Sequence, residues 1–242
     1  MKRKFKIKDT WRHLAAVVLA VFLGFSVIYS IIRLISAPAG VSDGFRHVKS
    51  DYVLMLVQCG LGLVVMALPS LIQRRWELTI PNYMFLLYYA FLFCAIYLGE
   101  VWDFYHRIPF WDLILHAFSG AMLGALGFSL VSMLNEAPNI RFRLSPLFVA
   151  LFAFCFALAA GTVWEIYEFT VDRLLGLNMQ KYMLADGTEL VGAAALHDTM
   201  EDLIVDAVSA LIVSILGYVM LKRQQKTKKS SADTQPSPDV GE

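Results

Sequence analysis

Charge and cysteine are both scarce in this chain. Asp, Glu, Lys and Arg make up 17% of its 242 residues against 58% hydrophobic residues, and the mean hydropathy is +0.59. Soluble globular domains carry about 25% charge, so the composition excludes that class and indicates an integral membrane protein. Only three cysteines are present, Cys59, Cys94 and Cys155, each within a different apolar run. Without a CxxC pair they exclude the usual thiol redox and zinc motifs and read as free core thiols. The alternating pattern of ten-residue strands that marks a membrane barrel is missing. So are HExxH and GxSxG, which excludes a zincin-like protease and a serine elbow as usually written. There is no basic triplet suited to phosphate capture in the manner of membrane phosphatidate phosphatases. Glu165-Ile166-Tyr167-Glu168 lacks the adjacent pair of glutamate-type intramembrane proteases.

What the chain does have is long apolar runs. Six are long enough to cross about 30 Å of hydrocarbon: approximately Leu14–Ile35, Tyr52–Leu71, Pro81–Glu100, Trp111–Leu134, Pro146–Phe169 and Asp198–Leu221. The expected fold is all-α, a polytopic bundle of six transmembrane helices spanning residues 14–221. A basic N-terminus (1–13) precedes it, and a polar, disordered tail (222–242) follows. Fifteen of the 21 Lys and Arg residues fall on one side: those of the N-terminus, Arg74, Arg75, Arg141, Arg143 and those of the tail. The bias places both termini in the cytoplasm and suits anionic lipid rather than nucleic acid. Ala37-Pro38-Ala39 has a small-x-small look, but the run before it is too long for a signal peptide and reads as a retained anchor.

Against this background seven carboxylates sit within or at the ends of the runs: Glu100, Asp112, Glu165, Glu168, Asp198, Asp202 and Asp206, with His116 among them. The expected topology brings them all to the outer side. An Asp at a helix centre costs roughly 2.5–3.5 kcal/mol on insertion scales, so retained carboxylates point to a polar site. Asp112 and His116 are four residues apart and share a face. Asp198, Asp202 and Asp206 form a stripe about 12 Å deep. Asp112 and Asp198 also suit helix N-termini as caps, whereas His116, Glu165, Asp202 and Asp206 lie too deep for that. The small residues Gly120, Gly124 and Gly127, and Ala159-Ala160-Gly161, let helices approach closely around the acidic set. The connection from Arg173 to His197, which holds Gln180, joins the two most acidic helices as either a lid or an ordinary interfacial loop.

Carboxylates this close cannot all ionise without partners. Protons, a bound cation or salt bridges could supply the balance, and the last is weak here because Arg107, Arg173 and Lys181 are the few basic residues near that side. Oxygen-rich ligation with histidine suits Mg²⁺, Mn²⁺, Ca²⁺ or Zn²⁺. The leading expectation is a metal-dependent enzyme that hydrolyses or transfers a lipid or envelope-precursor headgroup. Asp112, His116, Glu165, Asp202 and Asp206 would hold the metal, Glu168 would act as general base, and Glu100, Asp198 and Gln180 would line the site. The alternatives are a cation- or proton-coupled transporter built on the same carboxylates, and a scaffold whose polar residues lock helix packing.

Leu98-Gly99-Glu100 with Tyr105, Trp111-Asp112 through His116 to Ser119-Gly120, and Gly161 through Trp164-Glu165 to Glu168 form one group of motifs. Asn178-Met179-Gln180 and Asp198-Thr199-Met200-Glu201-Asp202 through Asp206 complete it. Over residues 85–215 the chain resembles the YjdF-like inner-membrane proteins of bacteria. The resemblance implies a multi-pass protein of the bacterial cytoplasmic membrane and names no reaction. A fainter likeness is to VanZ-like membrane proteins, which pair a D-x-x-x-H helix start with a later acidic helix; where they carry Asn and Gly after the final Asp, this chain has Ser209-Ala210 after Asp206.

Overall fold

A computed structural model describes residues 2–38, 47–75, 80–136, 144–184 and 186–233, without the side chains of 2–9, 136, 228, 229 and 231–233. Among them the chain is helical, with one isolated β-bridge between Met183 and Glu189. This is the outcome hydrocarbon imposes, since a helix satisfies its own backbone polar groups. The elements are α1 (Lys2–Ser36), α2 (Lys49–Val65), α3 (Leu68–Arg75), α4 (Asn82–Leu92), a π-helical segment (Phe93–Val101), α5 (Phe104–Arg107), α6 (Trp111–Glu136), α7 (Pro146–Leu175) and α8 (Ala193–Asp233). Among the described residues six stretches are long and apolar enough to span a membrane: Thr10–Ser36, Lys49–Arg75, Asn82–Val101, Trp111–Asn135, Pro146–Leu175 and Ala193–Thr227. The all-helical, six-span expectation is met.

Local chemistry sets the ends. Asp51 reaches back to accept the Val48 N–H at 2.9 Å and caps α2. Pro69 cannot donate into the preceding turn, and the helix restarts as α3 after Met66 and Ala67. Ser145 accepts the Phe148 N–H at 3.2 Å, and Pro146 takes the first position of α7, where its missing N–H costs nothing. Gly176, at φ +64°, ends α7. The sequence expectation set a disordered tail from Lys222, but α8 continues as helix to Asp233. Lys, Arg and Gln are good helix formers, and elongation of an existing helix needs no new nucleus. The rest of that tail lies outside the described residues, as do Ala39, Arg46, Arg141 and Arg143.

The chain divides into two compact units, Met1–Leu115 with Ile166–Thr199, and His116–Glu165 with Met200–Glu242. In the first, α1 packs on α2, α4 and the π-helical segment around Leu19, Leu23, Tyr52, Met55, Cys59 and Phe85. The buried hydroxyls of Ser26 and Ser30 donate to Phe22 O and Ser26 O one turn back, at 2.8 and 2.7 Å, so they add no unmet polar group to that core.

The second unit packs stretches of α6, α7 and α8 on small residues. Gly124 faces Ala210 and Val213, Gly127 faces Ala153 and Phe156, and Gly217 faces the Phe128 ring. A Cβ on Gly124 would rest 3.5 Å from Ala210 Cα, an ordinary contact, whereas one on Gly120 would strike Ser209 Oγ and stand 2.9 Å from Asp206 O. Gly124→Ala is therefore expected to leave the thermal midpoint in detergent near the parent's. Gly120→Ala should lower stability by about 1–3 kcal/mol, the usual cost of overpacking. Equal midpoints for the two variants would contradict this packing.

Candidate functional site

Each unit holds one polar set. In the second, His116 lies on α6, Glu165 on α7, and Asp202 and Asp206 on α8. Their relative exposures are 7%, 4%, 1% and 2%, which puts four ionisable side chains out of contact with solvent. The imidazole is the hub. Its Nδ1 stands 3.3 Å from Asp206 Oδ2, while Nε2 stands 3.8 Å from Asp202 Oδ2 and 4.0 Å from Glu165 Oε1. An ionised Asp206 would accept from an Nδ1–H, with Nε2 turned toward the other two acids. Ser119, which the sequence marked only as the end of the His116 motif and gave no role, donates to His116 O at 3.0 Å and lies 3.5 Å from Asp206 Oδ1.

Glycine makes the room. A Cβ on Gly161 would collide with the Asp206 carboxylate, and Gly120 lies against the Asp206 backbone. Both stand in runs that the sequence marks as small faces. An alanine at 161 would force the Asp206 carboxylate to shift, and one at 120 would press on Ser209 Oγ and the Asp206 backbone. A protonated His116 matches one of three negative charges, and a set of this kind takes up protons or a cation.

The first unit holds the second set. Lys181 Nζ donates to Asp112 Oδ2 at the start of α6 and, at 2.6 Å, to Asp198 Oδ1, which lies in the second turn of α8, five residues past Ala193, and so does not cap that helix as its position in the sequence suggested. Sequence reasoning gave salt bridges little weight; in the structure this one lysine engages two of the singled-out carboxylates. Its backbone is left-handed at φ +47°, an unusual place for a residue with a side chain. The linker that carries it is built rather than loose. Asp172 at the end of α7 accepts the N–H groups of Met179 and Gln180 at 2.8 and 3.0 Å. Asn178 exchanges bonds with the Met183 N–H and carbonyl, and Gln180 Nε2 donates to Thr199 Oγ1 at 2.8 Å. Leu177 is fully buried beneath them. An open depression of about 320 Å³ lies beside the lysine, lined by Lys181, Leu190, Ala194, His197 and Asp198.

The remaining singled-out residues also lie in the first unit. Glu168 is buried one turn beyond Glu165 on α7. Glu100 sits in the π-helical segment, a geometry frequent at functional sites. The segment closes with the Trp102 N–H bonded to Tyr97 O, five residues back, and Gly99 clears space for the Tyr105 ring.

Burial lowers the affinity of the Lys181 amine for its proton, but Asp112 and Asp198 together outweigh it and hold the pKa above the ordinary lysine value. A raised lysine pKa stabilises the fold wherever the unfolded lysine is still protonated, below about pH 10.4. That contribution fades only as pH climbs through the higher folded value, so it is constant across neutral pH. Lys181→Gln is expected to raise amide hydrogen exchange across residues 177–184 by roughly tenfold or more, through local opening. Unchanged exchange there would mean that the lysine does not hold the linker.

A model of the family described as "Predicted membrane protein (DUF2238)" matches residues 13–223. A protein of Thermotoga maritima titled "Uncharacterized protein" is 26% identical over 155 residues, covering 62% of this chain and 69% of its own length. No solved structure matches.

Proposed function

The chain belongs to the DUF2238 family of membrane proteins, and from that premise we propose that its activity resides at His116, Glu165, Asp202 and Asp206 as a divalent-cation site. The reaction we assign to it is metal-dependent hydrolysis or transfer at a lipid or envelope-precursor headgroup. One observation carries the reading: an imidazole and three carboxylates, all more than nine-tenths buried, gather within 4.0 Å of the two ring nitrogens. Their neutralisation calls for a cation or for shared protons. Imidazole with carboxylates is a donor set that divalent metals accept. When bound, such an ion would supply Lewis acidity to a phosphoryl or carbonyl oxygen.

In this reading the protein's own groups divide the work. His116, Glu165 and Asp202 hold the ion, with Asp206 beside them. Glu168 is the proton-transfer group, and Asp112 and Asp198 serve the Lys181 bridge. In this reading the site lies toward the outer side of a bacterial cytoplasmic membrane, away from the basic termini, and the partner is membrane lipid. The likeness to YjdF-like proteins supports the same residue set without adding a reaction.

A proton- or cation-coupled transporter is the second reading, and one observation favours it. Ser214, two turns beyond Asp206 on α8, is buried and its hydroxyl makes no hydrogen bond among the described residues. A polar group at that depth could continue a path that a one-sided enzyme would not need.

The two are separated by reconstituting the full chain in liposomes of mixed phospholipids with Zn²⁺ or Mn²⁺. The enzyme reading expects one metal per chain, headgroup products by mass spectrometry, and a loss of turnover of roughly 10²–10⁴-fold in Glu168→Gln. Dissipation of an imposed pH gradient that depends on Asp206, with no lipid product, would favour the transporter. Full function in both His116→Gln and Asp202→Asn would end both readings and leave a packing role.

A further inference from the structure

We propose that α8, where its apolar run ends, carries a binding site for the headgroup of an anionic phospholipid, built from Tyr218, Lys222, Arg223 and Lys226. The site is independent of the His116 set and of any reaction assigned there. Charge, shape and position each support it.

Between Asp206 and Asp233 the helix holds no acidic residue, while Lys222, Arg223, Lys226, Lys228 and Lys229 follow one another within eight positions. Lys222 and Lys226 are four residues apart, and Arg223 and Lys226 three, so their charges are neighbours on one face and repel. All three are exposed, and among the described residues no carboxylate pairs with any of them. An anion placed between them turns that repulsion into attraction.

The cations also have a shaped surface between them. Tyr218, Val219, Lys222, Arg223 and Lys226 line a shallow recess of about 120 Å³. Lys222 Nζ donates to the Tyr218 hydroxyl at 2.9 Å and stands 5.2 Å from the centre of its ring. A hydrogen bond and a cation–π contact thus fix this ammonium at the rim of the recess. Arg223 brings a planar fork of donors that matches phosphate oxygens, and Lys226 adds a point charge one turn beyond Lys222.

Position names the occupant. Val219 lines the recess, and Leu216 and Met220 beside it are exposed. Acyl chains that cover such a surface bring a headgroup to the place where the apolar run gives way to charge, which is also where tyrosine sits in membrane helices. Lys and Arg stems follow apolar surface there while their charged ends reach water. A soluble anion would gain nothing from the apolar edge. A zwitterionic headgroup would bring its own ammonium up to three cations, whereas an anionic phospholipid brings a phosphodiester charge without one.

The test places the full chain in nanodiscs of phosphatidylcholine, with or without phosphatidylglycerol of the same acyl chains, and reads amide hydrogen exchange across residues 218–230. Native mass spectrometry of the chain in detergent, given both lipids in equal amount, counts the lipids retained. Phosphatidylglycerol should slow exchange across the segment by roughly tenfold, and one such lipid should stay on each chain in preference to phosphatidylcholine. Lys222→Gln/Lys226→Gln should lose both effects. Lys228→Gln/Lys229→Gln removes the same charge beyond the recess and should keep them. Tyr218→Phe leaves the charge unchanged but frees Lys222 and should weaken retention several-fold, so it carries the test should a lysine pair not fold. The proposal falls if both lysine pairs lose the effects equally, which is attraction to net charge without a site, or if neither does, which places the lipid elsewhere. It falls too if the parent retains the two lipids equally or Tyr218→Phe retains phosphatidylglycerol as the parent does. Inorganic phosphate that slows exchange as much in discs of phosphatidylcholine alone would make the ligand a soluble anion and end the lipid assignment.

Discussion

A carboxylate taken from water into a helical bundle loses its hydration, and the loss is made good only by a countercharge or a proton. Every notable feature of this structure answers that constraint. In the first unit the answer is covalently part of the chain: Lys181 is carried on a linker and donates to Asp112 and Asp198. In the second, a single imidazole stands among Glu165, Asp202 and Asp206. The same chemical problem is thus met in one place by a fixed ammonium and in the other by a group able to gain and lose its charge. That difference is why we propose the second set, and not the first, as the seat of activity.

Holding a buried acid also makes demands on backbone and packing. Glycine rather than alanine at 161 admits the Asp206 carboxylate, and glycine at 120 admits its backbone. At the end of α7, Asp172 is satisfied by two consecutive backbone amides, which fold the linker that presents Lys181. Lys181 itself adopts a left-handed backbone, a conformation that costs roughly 1–2 kcal/mol for a residue with a Cβ. Two strong ionic hydrogen bonds are sufficient to maintain it.

Much of the fold could be read from the chain alone, because hydrocarbon enforces it through composition and run length, local properties visible in any window. The depth of His116, Glu165, Asp202 and Asp206 was legible for the same reason, since helical rise converts residue number into distance. Pairing was not. Lys181 meets Asp112 across 69 residues and His116 meets Asp206 across 90, and no local pattern encodes either. A lone lysine midway along the linker between the two most acidic helices was the available signal for the first. The π-helical turn at Phe93–Val101 was likewise hidden, because its residues are those of an ordinary apolar helix.

The continuation of α8 to Asp233 has a mechanical side. Twelve residues beyond the last apolar position, at 1.5 Å each, make a rod of about 18 Å. A rod does not sample space as a coil of equal length does. The helix end at Asp233 is therefore carried at a set distance and azimuth from the final crossing, and a rotation or tilt of that crossing is delivered to it undiminished.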